Sequence, residues 1–297
     1  MAIGYACIAV GVPNSSMSRC NLKNADSASL DKIIRANLAA LATLVAYNSL
    51  NNIRLFRISS DVIPFATHPV NTIDWQNEYR PLLQQLGKQI AAAAMRVSMH
   101  PGQYTVLNSP HPEVRDRAVA DLQYHTAFLD ALDVDCRGKI ILHIGGVYGD
   151  KFTATQTFVE RYRLLPDAVK RRLVIENDDK NYSIAEVLEI SHSAKIPVVF
   201  DNLHHQLNPP VEQRSQSEWI CACQATWQAR DGKQKIHYSQ QKTDSRPGAH
   251  SDTIDVSQFQ TFWQQLKDPD IDIMLEVKDK NLSALKCRAF NAAEFKG

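Results

Sequence analysis

The chain has 297 residues, of which 44% are apolar and 22% are charged, as in an ordinary globular protein. This length suffices for one large α/β barrel or for two ordinary domains. The formal net charge of +1 argues neither for nor against a nucleic-acid partner, so any basic contact surface has to be local.

The six cysteines are scattered and form no C-x-x-C pair. This spacing argues against a zinc knuckle and a disulfide framework, and it is typical of a reducing compartment. The sequence contains no run of about 18 apolar residues and no basic amino-terminal region followed by an apolar core. We therefore expect a cytoplasmic protein that has no membrane partner.

Eight short segments have the composition of buried β-strands. Each is a continuous apolar run, which is typical of strands covered on both faces of a parallel sheet. In chain order the predicted strands cover residues 3–9, 53–59, 96–100, 139–144, 172–177, 197–201, 234–239 and 271–277.

A helix is predicted after each strand. In the first, Leu30, Ile34, Leu38 and Leu41 recur at helical spacing, and two asparagines end the pattern. In chain order the predicted helices cover residues 28–50, 75–94, 116–132, 153–164, 183–194, 215–229, 255–267 and a last segment from about 281.

Eight strands that alternate with eight helices predict an α/β protein with a (β/α)8 TIM barrel, formed by residues 1–297 as a single domain. The length is near the ~250 residues typical of that fold. A doubly wound open sheet is the alternative, although no G-x-G-x-x-G follows the first strand.

The segment 96–105 shows how strand ends carry the chemistry of this chain. Its strand ends at His100, and Pro101 and Gly102 then force a turn that carries Gln103 and Tyr104. Similar groups stand at or after the ends of strands three to eight, which converge on one face of a barrel. The candidate metal ligands are His100, His143, Glu176, Asp201, His204, His237, His250 and Glu276.

A single histidine at a strand end is more often a hydrogen-bonded structural residue than a metal ligand. Eight histidines and carboxylates on six successive strands are harder to explain that way. Three buried carboxylates would repel one another, and divalent cations remove that cost. Eight ligands exceed the needs of one ion and suit two or three.

The mixture of imidazoles and carboxylates, without a thiolate, suits Mn²⁺ or Zn²⁺ better than copper, an iron–sulfur cluster or Ca²⁺. Paired divalent ions are the arrangement that catalyses displacement at phosphorus. The residues alone therefore indicate phosphodiester hydrolysis.

Lys235 lies two residues before His237 on the seventh predicted strand, so both side chains are expected to face the metal site. An ammonium group beside divalent cations is readily deprotonated. The neutral amine could then act as a base or be carboxylated and become a ninth ligand. A lysine that extends to the barrel mouth is the structural alternative.

The motifs taken together resemble the ultraviolet damage endonuclease family. No single motif is decisive, but their order along nearly the whole chain is specific. The matching segments are residues 4–5, 56–60, 66–69, 100–104, 143–146, 176–179, 200–201 and 235–239, with His250 and Glu276.

The resemblance implies a barrel related to endonuclease IV that carries a multi-metal site, often with manganese. It implies nicking of damaged double-stranded DNA immediately 5′ to cyclobutane pyrimidine dimers and (6-4) photoproducts. Abasic sites would be a further substrate class, and the products would be a 3′-hydroxyl and a 5′-phosphate. We expect a monomer.

Individual residues also carry over through the resemblance. It maps the eight ligands one by one, makes Lys235 the carboxylated lysine, and makes Gln103 and Tyr104 the pair that inserts beside the lesion. Tyr5 and His68 join Lys235 as expected catalytic residues, and His68 lies in a loop where it could contact a phosphate. Ala9 departs from the family, because some members carry Asn there, so any contact made at that position is in doubt.

Two other functions fit parts of the pattern. A metal-dependent sugar isomerase or epimerase has the same barrel and ligand types but needs a closed pocket, where an exposed Gln-Tyr pair gains nothing. A non-catalytic protein that binds damaged DNA would not need a complete set of metal ligands.

Overall fold

The computed structural model describes residues 1–268 and 270–294. Eight parallel strands close into a barrel in chain order, and β8 pairs with β1 through Tyr5 and Leu275. The predicted (β/α)8 barrel is therefore confirmed. The strands are β1 Ile3–Ala6, β2 Leu55–Ile58, β3 Arg96–Met99, β4 Lys139–His143, β5 Leu173–Glu176, β6 Val198–Asp201, β7 Lys235–Tyr238 and β8 Asp272–Leu275.

The helices surround the barrel. In chain order they are α1 Ser27–Leu50, α2 Trp75–Glu78, α3 Arg80–Ala92, α4 Pro112–Ala131, α5 Lys151–Leu164, α6 Asp167–Arg172, α7 Ile184–Ala194, α8 Asn202–Leu207, α9 Gln216–Gln224, α10 Val256–Gln264 and α11 Asn281–Glu294. The three short helices α2, α6 and α8 were not predicted as separate elements, and α8 directly follows β6.

The strands are shorter than their apolar runs because local backbone geometry ends them. The first strand was predicted to reach Ala9, but Cys7 has a φ of 71°, which no strand residue adopts, and β1 ends at Ala6. Likewise Arg172, predicted to begin the fifth strand, is the last residue of α6. The extra apolar residues therefore belong to loops and helix ends.

Successive side chains of each barrel strand point alternately into the barrel interior and outward toward the helices. Inside the barrel, Ile141, Val174 and Val199 form one apolar layer. Below it an ionic network closes the amino-terminal end: Lys139 Nζ lies 2.6 Å from Asp231 Oδ1. In the same network Arg96 Nη1 lies 2.9 Å from Asp272 Oδ2. Among the described residues, these ion pairs fill the amino-terminal end of the barrel.

In the described part of the chain, α1 is the one helix long and apolar enough to cross a membrane by length and composition. Its apolar side chains have another explanation, since Leu30, Ile34, Leu38 and Leu41 are buried against the barrel. Asp26 caps the helix by accepting a hydrogen bond from the Ser29 amide. The pattern is that of a core helix.

Candidate metal centre

The eight candidate ligands all lie at the carboxyl-terminal end of the barrel. His143, Glu176 and Asp201 are the last residues of β4, β5 and β6, while His100 and Glu276 directly follow β3 and β8. An open cavity of about 620 Å³ lies above them, lined by His100, His143, His204 and His250 among others. We call it the metal cavity.

Glu176 is the centre of the cluster. Its Oε1 lies 2.6 Å from His237 Nδ1, and its Oε2 lies 3.1 Å from His100 Nε2 and 3.5 Å from His143 Nε2. The ligand atoms of His100, His143 and Glu176 lie within 4.8 Å of one another, as do those of Glu176, Asp201 and His237. Because the Glu176 carboxylate belongs to both groups, it would be a ligand available to either of two ions.

Glu276 joins this cluster from the opposite side. Its Oε1 lies 3.3 Å from His237 Nδ1 and accepts a hydrogen bond from Arg57 on β2. Arg57 was not predicted as a site residue. The alternation of β2 was the available signal, because Leu55, two residues earlier, is buried in the interior layer with Ala6 and Met274.

Two imidazoles are oriented by backbone carbonyl groups. His100 Nδ1 lies 3.0 Å from the Pro101 oxygen, and His204 Nδ1 lies 2.9 Å from the Asn177 oxygen. When Nδ1 donates its proton to a carbonyl, the Nε2 lone pair is free to bind a metal. Asp201 accepts from the His204 amide and so begins α8, which brings the His204 ring centroid 5.5 Å from that of His143.

Charges within the cluster shift several pKa values. Burial would raise the pKa of Glu176, but His237, His100 and His143 outweigh it and hold that pKa well below its usual range. Burial lowers the pKa of His143 to about 4. For His204 the nearby carboxylates, Asp201 first, outweigh burial and raise the pKa to about 9. At neutral pH, then, Glu176 is an anion and His143 is a neutral imidazole, the form that binds metals.

Five buried atoms on residues of the cluster and of Lys235 have no hydrogen-bond partner among the described residues. They are Arg57 Nε, His143 Nδ1, Asp201 Oδ2, His237 Nε2 and Lys235 Nζ. Buried polar atoms are normally satisfied, so each one needs an explanation. Imidazole and carboxylate ligand atoms within 4.8 Å of one another, some of these residues having a further polar atom without a protein partner, fit a divalent metal. The donor set is therefore suited to the ions expected from the sequence.

Lys235 is fully buried and begins β7, with Asp272 as its register partner on β8. Burial lowers its pKa well below the usual value, and the neighbouring Arg96 adds to that effect. As strand alternation predicts, it shares the barrel interior with His237. The structure thus contains a buried amine for which burial favours the neutral form.

Tyr5 does not reach the metal cavity. Its hydroxyl donates a 2.7 Å hydrogen bond to Asn48 on α1, and its ring packs against Phe56. Because Ala6 occupies the interior position on β1, Tyr5 points outward between the barrel and α1. This geometry favours a structural role for Tyr5, and the expectation that Tyr5 is catalytic stays a prediction.

Gln103 and Tyr104 lie on the loop after β3, and both are exposed, Tyr104 by 72%. Gln103 lines the metal cavity, whereas Tyr104 lines a neighbouring cleft of about 350 Å³. Ser60, Phe65 and His68 line this cleft as well. His68 therefore lies outside the metal cavity, on the side of Tyr104, and its predicted phosphate contact would be made there.

Helix α4 holds both ends of the loop that carries His100 and Tyr104. Ser60 Oγ lies 2.7 Å from the His100 carbonyl oxygen and 2.8 Å from His125 Nε2. At the other end Thr105 donates a 2.5 Å hydrogen bond to Asp121. Sequence analysis had no signal for this bracing, because its partners lie far apart in the chain.

Comparisons with known proteins agree on one family. The UV-endonuclease UvdE family matches residues 2–296. The UV DNA damage endonuclease of Clostridium perfringens is 44% identical over 288 residues, which cover 97% of this chain and 70% of that protein. That of Bacillus cereus strain Q1 is 36% identical over 259 residues, which cover 86% and 80%.

Solved structures give the same result. The crystal structure of SacUVDE is similar with a TM-score of 0.93 and 35% identity over 99% of each chain. Endonuclease IV from Thermus thermophilus has a TM-score of 0.56 at 14% identity, over 100% of each chain. An L-ribulose 3-epimerase has 0.58 at 16%, over 99% of this chain and 94% of that one. The last two share the fold alone.

Proposed function

The chain belongs to the UV-endonuclease family, a family of DNA repair endonucleases for UV damage, and from that premise we propose its reaction. The enzyme nicks double-stranded DNA immediately 5′ to cyclobutane pyrimidine dimers and (6-4) photoproducts, with abasic sites as a further substrate class. Hydrolysis of the phosphodiester leaves a 3′-hydroxyl and a 5′-phosphate.

The observation that carries this proposal is Glu176, shared by two groups of ligand atoms at the open end of the barrel. The eight ligands hold two or three divalent ions, Mn²⁺ before Zn²⁺ or Mg²⁺. Bound ions of this kind supply Lewis-acid stabilisation for the charge that develops on a phosphodiester. All eight ligands come from one chain, so the proposed site does not need a second subunit, and we propose a monomeric enzyme.

The protein side chains orient the site and set its charge. Hydrogen bonds to the Pro101 and Asn177 carbonyls fix the rings of His100 and His204. The guanidinium of Arg57 holds Glu276 in place and compensates part of its charge. Immobile ligands of this kind reduce the reorganisation needed when the phosphodiester binds.

Lys235 is proposed to be carboxylated in at least part of the protein. Its amine is buried and unpartnered, and burial favours the neutral form that reacts with CO₂. Addition to CO₂ would form an N–C bond with loss of one proton, and the resulting carbamate would be a ninth, anionic ligand. Mass spectrometry under native, non-acidic conditions should show the added carboxylate. An unmodified lysine in metal-loaded protein at neutral or alkaline pH would contradict this proposal.

Gln103 and Tyr104 are proposed to recognise damage by occupying the space of displaced bases. A pyrimidine dimer is poorly stacked, so its extrusion costs less than that of a normal dinucleotide. Tyr104 recovers about 1–3 kcal/mol by stacking on an exposed base. This mechanism senses deformability, which allows unlike photoproducts to be accepted.

Nicking of UV-irradiated supercoiled plasmid with Mn²⁺ tests the proposal. We expect nicking of irradiated plasmid only, its loss in excess chelator, and its restoration by Mn²⁺. Glu176→Gln should lose activity by orders of magnitude, because it removes the shared carboxylate. The matched control is Asp167→Asn, an exposed carboxylate on α6. Wild-type activity of Glu176→Gln, or activity in excess chelator, would refute the metal mechanism.

The same assay separates the alternative functions. A sugar epimerase would leave irradiated plasmid intact, and a non-catalytic damage-binding protein would retain it without nicking it. Gel-shift analysis of the same samples distinguishes these two outcomes.

A further inference from the structure

Two neighbouring loops at the open end of the barrel present an aromatic ring in the same way. In the loop after β3, a Cβ added to Gly102 would lie 2.3 Å from Cε1 of Tyr104. In the loop after β4, a Cβ added to Gly146 would lie 2.7 Å from Cζ of Tyr148. In both loops, therefore, an exposed ring lies against a glycine two residues earlier, where any side chain would displace it.

The backbone at Tyr148 is in an unfavourable conformation. Its φ is 48°, in the left-handed region that asparagine and glycine tolerate and bulky residues rarely adopt. It lies between Gly145, with a φ of 115°, and Gly149, with a φ of 82°. Residues held in such conformations cluster at sites of function, because elsewhere a less strained residue would serve.

The ring is also in a position to meet the substrate. Tyr148 is 49% exposed and lines the metal cavity together with Gln103. Lys180 and Arg246 line the same cavity, and neither forms an ion pair within the described residues. A flat aromatic side chain beside available cations is the combination that binds single-stranded segments of nucleic acid.

We propose that Tyr148 is a second base-stacking residue, which contacts a nucleobase of the bound DNA other than the one met by Tyr104. The inference rests on the proposed function, since it requires DNA in the metal cavity. Stacking tolerates every base because each has a π-face, so this contact adds affinity without restricting the lesion. The strained backbone is then the cost of directing the ring toward the cavity.

The test uses three variants and a duplex with one photoproduct. Tyr148→Asn removes the ring and suits the left-handed backbone, whereas Tyr148→Phe keeps the ring. Phe152→Ala is the matched control, because Phe152 is 74% exposed on the adjoining α5 but does not line the metal cavity. The dissociation constant, the melting temperature and the fluorescence of 2-aminopurine placed beside the lesion are measured for each.

We expect Tyr148→Asn to bind the damaged duplex about 5- to 150-fold more weakly. Its melting temperature should equal or exceed that of the wild type, and one 2-aminopurine position should lose its protein-induced quenching. Tyr148→Phe and Phe152→Ala should bind like the wild type. Stabilisation together with weaker binding is a result that a merely structural tyrosine would not give.

Three results would overturn the inference: wild-type binding by Tyr148→Asn, a lower melting temperature with unchanged affinity of the folded protein, or an equal loss in Phe152→Ala. Failure of the proposed function looks different. If wild-type protein binds the damaged duplex but does not nick it, the endonuclease proposal fails, whereas the binding and fluorescence data still decide the role of Tyr148.

Discussion

Gly102→Ala moves the Tyr104 ring without altering Tyr104 itself. The new methyl carbon would lie 2.3 Å from Cε1 of that ring, and ordinary contact begins at 3.4 Å, so the ring has to move by about 1 Å or more. Gly102 is not among the described residues with positive φ, so its backbone accepts alanine. The ring is largely exposed, so its displacement costs the fold little.

The effect on damage recognition is expected to be much larger than that on stability. If stacking by Tyr104 contributes about 1–3 kcal/mol, a displaced ring loses part or all of a 5- to 150-fold preference for damaged duplex. The free energy of unfolding should change by less than about 1 kcal/mol and could rise, because alanine restricts the unfolded chain. Metal content should stay at the wild-type level.

A double-mutant cycle identifies the cause. We would measure dissociation constants for damaged and undamaged duplex with wild type, Gly102→Ala, Tyr104→Ala and the double variant. If Gly102→Ala acts through the ring, it has no further effect once Tyr104 is alanine. Additive losses would refute this reasoning, and so would wild-type discrimination by Gly102→Ala alone.

Two further predictions concern the core and the metal ligands. Tyr5→Phe should lower the free energy of unfolding by about 1–3 kcal/mol in denaturant titrations, because Asn48 loses its buried hydrogen-bond partner. We expect kcat to stay unchanged. A lower kcat with unchanged stability would instead show that Tyr5 takes part in catalysis. In metal-free protein the pKa of His204 is raised from 6.5 to about 9, so its protonated form stabilises the fold below pH 6.5 and this contribution is lost as the pH rises through 9. Since metals bind neutral imidazole, the apparent Mn²⁺ affinity should rise between pH 7 and 9 with proton release, measurable by calorimetry in two buffers; a pH-independent affinity would contradict it.

Residues at strand ends could be located from the sequence because a barrel converts a one-dimensional pattern into a three-dimensional one. The carboxyl ends of parallel strands meet whatever their distance in the chain. Thus His100 and His237, which are 137 positions apart, both contact Glu176. Only the end of each apolar run had to be found, and an error of one or two residues there did not matter.

The direction of a side chain on a short strand was harder to predict. Tyr5 and Arg57 both lie on strands of four residues, and a motif quoted as a block does not show which of its members face the interior. Strand alternation directs the Arg57 side chain into the barrel, where it contacts Glu276, and directs the Tyr5 side chain outward to Asn48. Applying the alternation rule to every strand, as was done for Lys235, would have identified both.

Loop conformations were beyond reach for a different reason. The left-handed backbone of Tyr148 depends on tertiary contacts, and the sequence signal for it is only a cluster of glycines. Similarly, α8 exists because Asp201 caps it, although Asp201 was counted as a metal ligand alone. One residue can have both roles, and periodicity detects neither.

The two loops that carry Tyr104 and Tyr148 directly follow strand ends that carry candidate metal ligands. His100 and Tyr104 share the segment 100–105, whose two ends are held by hydrogen bonds to Ser60 and Asp121. Three residues beyond this segment, Asn108 Nδ2 donates a 2.7 Å hydrogen bond to the carbonyl of Gly146, the glycine against which the Tyr148 ring lies. If both rings stack on bases as proposed, the bound duplex would act on loops that directly follow the strand ends carrying His100 and His143. On that proposal a duplex that resists distortion would strain these loops, whereas a lesion that is already unstacked would leave the candidate ligands in place, and part of the selectivity would arise at the metal centre.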